Sequence, residues 1–258
     1  MYNITSNTLF TGNQIIYLKE CQSTNDVLAE LSKQATVFEG AIVITDHQLG
    51  GRGQRGNVWE ANPGDNLTLS LLYKPFFVPV QFPFGLNIAV SLGIFDVLDE
   101  YLPQKVKIKW PNDMIVSVNG VDKKICGILM ENTIKKNQFE NAIIGIGINV
   151  NQTNFKQTKA TSLTEYLHAP VDKNEVLNKL CSRIESRYLA LKNNKNLTDE
   201  YITHLYLLYE KALFCVDEVV FEGIIQGVDV HGRLVVLHLH ANKLHQYSFG
   251  EIRYLGRV

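Results

Sequence analysis

The chain has 258 residues, with 25 Lys plus Arg against 26 Asp plus Glu. That length supports one large domain with a small appendage and a core needing neither disulfides nor metals. The balanced charge supplies no overall positive field to gather nucleic acid or an anionic membrane, so neither is expected as a partner.

Cys21, Cys126, Cys181 and Cys215 lie far apart with no C-x-x-C pair, so they read as reduced thiols of a cytoplasmic protein. The N-terminus MYNITSNTLF lacks a basic start before an apolar run. The longest apolar-rich stretch, 82–98, is interrupted by Asn87, Ser91 and Asp96, so no export signal or membrane span is expected.

In chain order, strands are expected at 14–19 and 41–46, separated by a short helix over 26–33, and residues 47–65 read as a long glycine-rich loop. NLTLSLLY (66–73) reads as a strand. A helix follows over 83–101, with Phe84, Ile88, Leu92, Phe95 and Leu98 on one face and Pro83 in its first turn. Strands are then expected at 105–109, 114–118, 124–131 and 139–149, with Asn119-Gly120 as a two-residue hairpin turn. Short turns of this kind argue for a largely antiparallel sheet and an α+β fold. Residues 151–161 and 192–196 are polar loops, and helices are expected over 171–191 and 198–212. From Val216 the pattern changes to short β-rich runs broken by glycine, read as a small separate barrel; the expected domains are 1–212 and 213–258.

Five segments carry chemistry. In His47-Gln48-Leu49-Gly50-Gly51-Arg52-Gly53-Gln54-Arg55-Gly56-Asn57-Val58-Trp59, alternating glycines let the backbone approach a ligand, and Arg52 and Arg55 supply charge suited to carboxylate or phosphate. A surface loop with incidental arginines is the plain alternative. In Lys107-Ile108-Lys109-Trp110-Pro111-Asn112-Asp113, strand alternation puts both lysines on one face and the turn presents Asn112 and Asp113, although Pro-Asn-Asp is also ordinary turn chemistry. Lys123-Lys124 precedes an apolar strand containing Gly127, a residue type that marks close approach of a ligand or backbone; a solvated lysine pair at a hairpin end is the alternative. Gly145-Ile146-Gly147-Ile148-Asn149 lacks the third glycine and following helix of a dinucleotide fingerprint, and no Walker loop occurs. Ser23-Thr24-Asn25 reads as a helix N-cap, with a ligand beside the same N–H groups as the functional reading.

Taken in order, S-T-N, Q-x-x-G-R-G-x-R-G-x-x-W, K-W-P-N-D, K-x-x-G-I-L-x-E and G-x-G-x-N-V resemble the biotin protein ligases over about residues 17–151. The glycine-spaced end at Gly250-Glu251-Ile252 resembles that family's SH3-like barrel. The resemblance implies a catalytic domain like those of class II aminoacyl-tRNA synthetases. It also implies a two-step reaction: biotin and ATP give biotinyl-adenylate and pyrophosphate, then a lysine of a biotin carboxyl carrier protein, on acetyl-CoA carboxylase or another carboxylase, takes the biotin. Gly51, Arg52, Gly53, Gln54, Arg55 and Gly56 would fold over biotin and adenylate. Ser23, Thr24, Asn25 and Gln48 would bind the polar biotin head, and Trp59, Gly127 and Leu129 its apolar side. Lys124 would meet the carboxylate as leading catalytic residue, with Arg52, Lys109 and Asp113. Arg52, Arg55, Lys109, Asn112, Asp113 and Asn149 would contact ATP, and Asp113 would hold magnesium or orient the incoming lysine.

Two departures bear on this expectation. Gln54 stands where many members have arginine, which keeps hydrogen bonding but loses charge and implies a less tightly held adenylate. Only about 20 residues precede S-T-N, fewer than a winged helix-turn-helix needs, so no operator binding is expected. A lipoate or octanoate ligase of the related fold and a noncatalytic biotin sensor are the alternatives. A homodimer through β-rich edges is open.

Overall fold

The computed structural model describes residue 2 and residues 8–34, 36–118, 120–156 and 159–258. Its strands β1 (Ile15–Cys21), β2 (Ile42–Gln48), β3 (Leu67–Tyr73), β4 (Val106–Lys109), β5 (Asp113–Val118), β6 (Val121–Lys135) and β7 (Gln138–Ile148) form one sheet in the order β1-β2-β3-β7-β6-β5-β4. β1 and β2 are parallel and the remaining neighbours antiparallel. The sheet is mixed and the fold α+β, as expected.

Period-two alternation gives this sheet two different faces. Ile42, Ile44, Leu67, Leu69, Leu71, Ile144, Ile146 and Ile148 point to one side and join a large buried cluster. Helices α2 (Phe84–Tyr101) and α4 (Lys173–Lys192) contribute Leu92, Ile94, Val97, Leu177, Leu180 and Ile184 to it. α2 is buried well beyond the single apolar face expected of it, because α4 packs on it so closely that a Cβ at Gly93 would stand 2.7 Å from the Ile184 Cα. On the other face Val43, Leu72 and Ile143 pack under Leu28 of α1 (Thr24–Leu31). The rest of that face carries Thr68, Ser70, Gly145 and Gly147, and there the functional cavity lies.

Boundaries differ from expectation where local chemistry overrides periodicity. α1 starts at Thr24 because Ser23 accepts the Asp26 N–H. β6 and β7 run past the expected strands to a turn at Lys136-Asn137, both at positive φ (51° and 60°), the geometry of a tight hairpin without the usual glycine. Asn119 of the expected Asn-Gly turn lies outside the described residues. The expected helix 198–212 is only α5, Thr198–Thr203. Past it, Leu207 and Tyr209 take positive φ, and the backbone bonds elsewhere: Ile108 N–H donates to His204 O, Tyr206 N–H to Ile108 O, and Tyr209 N–H to Ile225 O. A short helix α3 (Leu163–Leu167), capped by Ser162, falls where no helix was expected.

A second sheet, antiparallel, contains β8 (Lys211–Val216), β9 (Val219–Val228), β10 (Leu234–His238), β11 (Lys243–Tyr247) and β12 (Arg253–Arg257) in the order β11-β10-β9-β8-β12. Its Phe214, Ile225, Leu234, Val236 and Ile252 belong to the same buried cluster as α2 and the first sheet. The Trp110 indole N–H donates to Gly232 O at 2.9 Å. The two sheets are therefore tied through a common core.

Two imidazoles link this packing to pH. His204 stacks on Phe95 with ring centroids 4.0 Å apart, and burial, then Lys107, holds its pKa below 6.5. His238 stacks on Phe221 at 3.8 Å and is lowered by burial, then by His245. Their folded pKa values lie below the unfolded one, so the unfolded chain binds more protons in this window. The associated stability is complete above about pH 6.5 and is lost as pH falls from there toward the folded values. The thermal midpoint is expected to fall by a few degrees between about pH 7 and 5. His204→Gln should flatten that slope, as read by calorimetry across the range.

Candidate functional site

One row of residues crosses the open face of the first sheet. Thr45, Thr68, Gly147, Gly127, Asp113 and Lys109 are successive cross-strand partners on β2, β3, β7, β6, β5 and β4. The parallel row behind it runs Val43, Ser70, Gly145, Leu129. Three of these positions carry no side chain, and other groups fill the space. A Cβ at Gly147 would lie 2.4 Å from Trp59 Cε2, and one at Gly145 2.6 Å from Asn25 Oδ1. One at Gly127 would lie 3.0 Å from Lys124 Nζ. The floor of a cavity of about 580 Å³ is thus bare backbone, with Asn25, Trp59 and Lys124 laid over it.

Alternation alone would turn Lys124 to the face opposite Gly127, three residues along β6. Instead Met114 pairs with Cys126 and Ile115 with Lys124, leaving Ile125 as an extra, bulged residue. Ile125 and Cys126 are both fully buried, and Lys124 is turned into the cavity. Its Nζ meets Asp113 Oδ1 at 2.7 Å and lies 5.4 Å from the Trp59 ring centroid. The Lys124 backbone is clamped as well, by Lys124 N–H to Lys159 O and Thr161 N–H to Lys124 O.

At the other end, hydrogen bonds fix the side chains at the start of α1. Gln48 Oε1 accepts from Thr24 N–H at 2.8 Å. Asn25 Nδ2 donates to Glu131 Oε2 at 2.6 Å, which leaves Asn25 Oδ1 to accept from the Ser70 hydroxyl at 2.5 Å. The Ser70 hydroxyl also lies 2.7 Å from Thr24 Oγ1, which itself donates to Gln48 Oε1 at 3.1 Å. The amide of Asn25 is thereby oriented without ambiguity in a site only 3% exposed.

The glycine loop closes over these groups as a small hairpin. Arg52 bridges Val58, Trp59 N–H donates to Gly51 O at 3.0 Å, and Gln54–Gly56 form a 3-10 turn. Arg52 is engaged: its guanidinium donates two bonds to Asp26, at 2.8 and 2.5 Å, with Glu131 3.9 Å away, and holds the Asp26 carboxyl below its usual range. An anionic ligand therefore competes with Asp26 for Arg52 or shares it. The Arg55 side chain lies outside the described structure.

Ser23, Thr24, Asn25, Gln48, Arg52, Gly53, Gln54, Trp59, Asn112, Asp113, Lys124, Gly127, Leu129 and Asn149 all line this one cavity. Gly51 lies just behind, its Cα direction blocked by Trp59 O at 2.8 Å. Lys109 does not line the wall; it stands half-buried at the end of the row, with its pKa pushed down by burial and partly restored by Asp113. Apart from Asp113 Oδ1, whose contact is the Lys124 ion pair, three polar atoms among the lining residues are buried without a hydrogen-bond partner among the described residues: Trp59 Nε1, Gln54 Oε1 and Asn149 Oδ1. Asn149 is 2% exposed and is held by Asn149 N–H to Ile125 O and Asn149 Nδ2 to Thr161 O. Unpaired buried acceptors and donors are costly, so their clustering marks a ligand site.

Sequence reasoning missed Thr68, Ser70 and Asp26, and gave no site role to Gly145, Gly147 or Glu131 although they stood in its motifs. For Thr68 and Ser70 a signal existed: L-T-L-S-L alternates strictly within a strand buried on every residue, so the two hydroxyls had to face something polar. It also missed Phe249, Ile252 and Tyr254, which bring the second sheet to the cavity wall.

Comparison with known proteins agrees with this architecture. Residues 17–149 match the model of the biotin/lipoate A/B protein ligase family. The chain is 32% identical to the bifunctional ligase/repressor BirA of Bacillus subtilis, over 69% of its own length and 54% of that protein, so it spans about half of this relative. It is 30% identical to a biotin--[acetyl-CoA-carboxylase] ligase of Mycobacterium tuberculosis, over 73% of this chain and 69% of that one. A biotin protein ligase from Aquifex aeolicus, solved in complex with biotin and ATP, superposes with a TM-score of 0.76 at 26% identity, covering 95% of this chain and 99% of that one. The match over residues 17–149 contains every segment that builds the cavity floor, and on it the chain belongs to the biotin/lipoate A/B protein ligase family.

Proposed function

We propose that the protein is an ATP-dependent biotin–protein ligase that forms biotinyl-5'-adenylate and then biotinylates a lysine of a biotin carboxyl carrier protein. The observation that carries this reading is Lys124, turned by the bulge at Ile125 onto the bare-backbone floor and paired with Asp113. The names of the Mycobacterium tuberculosis relative and the Aquifex aeolicus structure support biotin as the acid and acetyl-CoA carboxylase as one owner of the carrier.

In the first step a biotin carboxylate oxygen attacks the α-phosphorus of ATP; the new O–P bond forms as the bond to pyrophosphate breaks. Negative charge gathers on the carboxyl and phosphoryl oxygens, and the Lys124 ammonium stands where it stabilises them. Arg52 adds a second positive group, released from or shared with Asp26. Thr24, Asn25 and Gln48, fixed by Ser70 and Glu131, present oriented amide and hydroxyl groups to the polar biotin head, while Trp59 and Leu129 cover its apolar side. Asn112 and Asn149 stand on the nucleotide side, with Asn149 Oδ1 still to be satisfied.

Asp113 is the carboxylate on the cavity wall that would hold a magnesium ion brought with ATP, and such an ion would offset the charge of the phosphate chain. In the second step the carrier amine attacks the acyl carbon, the anhydride C–O bond breaks and AMP leaves. Asp113, beside the reacting carbonyl through Lys124, is the group proposed to orient the amine or take its proton. The closed glycine loop excludes water from the anhydride in between.

Exchange of labelled pyrophosphate into ATP tests the reading. Biotin-dependent exchange is expected in the wild type, reduced about a hundredfold or more by Lys124→Ala. Exchange driven by lipoate alone would move the protein to the sister activity, and exchange with neither acid would leave a binding module. Gln54 faces the cavity with an unpaired Oε1 and no charge. Gln54→Arg is therefore expected to slow release of bound adenylate about tenfold, through one charge-assisted hydrogen bond. A release rate equal to wild type would contradict that role.

A further inference from the structure

The row of residues that crosses the cavity floor ends on the edge strand β4 at Lys109, and what stands beside it belongs to the second sheet. Lys109 Nζ lies 5.1 Å from the centroid of the Tyr254 ring on β12. Tyr254 lines the cavity, and Lys109 backs that wall. The ring is held in place by Phe214 at 5.5 Å and Tyr206 at 6.2 Å. The Tyr206 hydroxyl in turn donates to Asp122 Oδ2 at 2.7 Å, and Arg257 Nε reaches the same oxygen at 3.3 Å. Asp122 lies on β6, two residues before Lys124, so the second sheet is anchored to the strand that carries the site's principal lysine.

The two lysines are compensated differently. Lys124 takes the near carboxylate, Asp113 Oδ1, at 2.7 Å. Lys109 makes no ion pair within 4.0 Å among the described residues, although it is half-buried. A half-buried ammonium needs some counter-field; Asp113 supplies part of it from a distance, and the negative face of an aromatic ring stands directly against it. A ring face differs from a carboxylate in one respect that matters: it stabilises the cation without cancelling its charge.

We propose that Tyr254 is a positioning residue for Lys109: its ring holds the ammonium at the Asn112–Asp113 end of the cavity and leaves its charge for an anionic ligand. Under the ligase reading, on which this rests, that ligand is the phosphate chain of ATP. The ring, not the hydroxyl, is the working part.

Tyr254→Leu removes the ring and keeps an apolar side chain, and Tyr254→Phe keeps the ring. ATP affinity by calorimetry should fall about tenfold in the Leu variant, a loss in the range of a desolvated cation–π contact, and stay near wild type in the Phe variant. Biotin affinity should be unchanged in both. In a Lys109→Ala background, Tyr254→Leu should have no further effect on ATP affinity, which a merely structural role would not produce. The Lys109 ε-methylene resonances should be shifted upfield by the ring in wild type and the Phe variant and return to ordinary positions in the Leu variant. Additive losses in the double variant, or equal losses in Phe and Leu, would overturn the proposal. A wild type without acid-dependent pyrophosphate exchange would remove the ligase reading, while the methylene shift would still decide whether Tyr254 holds Lys109.

Discussion

Bare backbone at Gly127, Gly145 and Gly147 is the constraint on which the site depends. Side chains normally stand above a sheet and keep other groups several ångströms from its main chain, but here three adjacent positions on β6 and β7 have none. Into that clearing come the Asn25 amide, the Trp59 indole and the Lys124 amine, from a helix, a loop and a strand that are distant in sequence. The opposite face of the same strands is wholly apolar and rests on α2 and α4. One set of strands thus secures the core with one face and clears the site with the other.

Charge is distributed over this floor in a graded way. Arg52 is held by Asp26 with Glu131 nearby, Lys124 by Asp113, and Lys109 by an aromatic ring. The first two cations are paired in the structure and must be shared with a ligand. The third is half-buried and has only partial compensation, which is reflected in its lowered pKa. The polar side of the site is different in kind: Gln48, Thr24, Ser70, Asn25 and Glu131 form one connected hydrogen-bonded chain, so it is ordered before any ligand arrives.

Much of this was legible in the sequence, and the gaps have physical causes. The order of strands and helices through residue 148 followed from periodicity and turn residues, and the motif segments fall on one cavity. Lys124 was singled out with Lys123 from its place before the Gly127 strand, but its role came only from the resemblance, because regular alternation puts it on the face opposite Gly127 and a bulge leaves no mark in the sequence pattern. The helix expected to continue to residue 212 stops at Thr203 because β4 and β9 offer the backbone better partners, a long-range effect that local propensity does not contain. Gly145 and Gly147 were read as an incomplete dinucleotide fingerprint and then counted in the G-x-G-x-N-V motif of the resemblance, with no steric role assigned to them. Their function is steric and becomes visible only when Asn25 and Trp59 are seen above them.

The account is tested most directly by filling the clearing. Gly147→Ala places a Cβ where the Trp59 ring now lies, at 2.4 Å, so the indole must move while the core face of β7 is untouched. Biotin affinity measured by calorimetry is predicted to fall about tenfold or more, with the thermal midpoint shifted by only a few degrees. Wild-type biotin affinity in a correctly folded Gly147→Ala protein would contradict the claim that bare backbone at this position is what seats Trp59 in the ligand site.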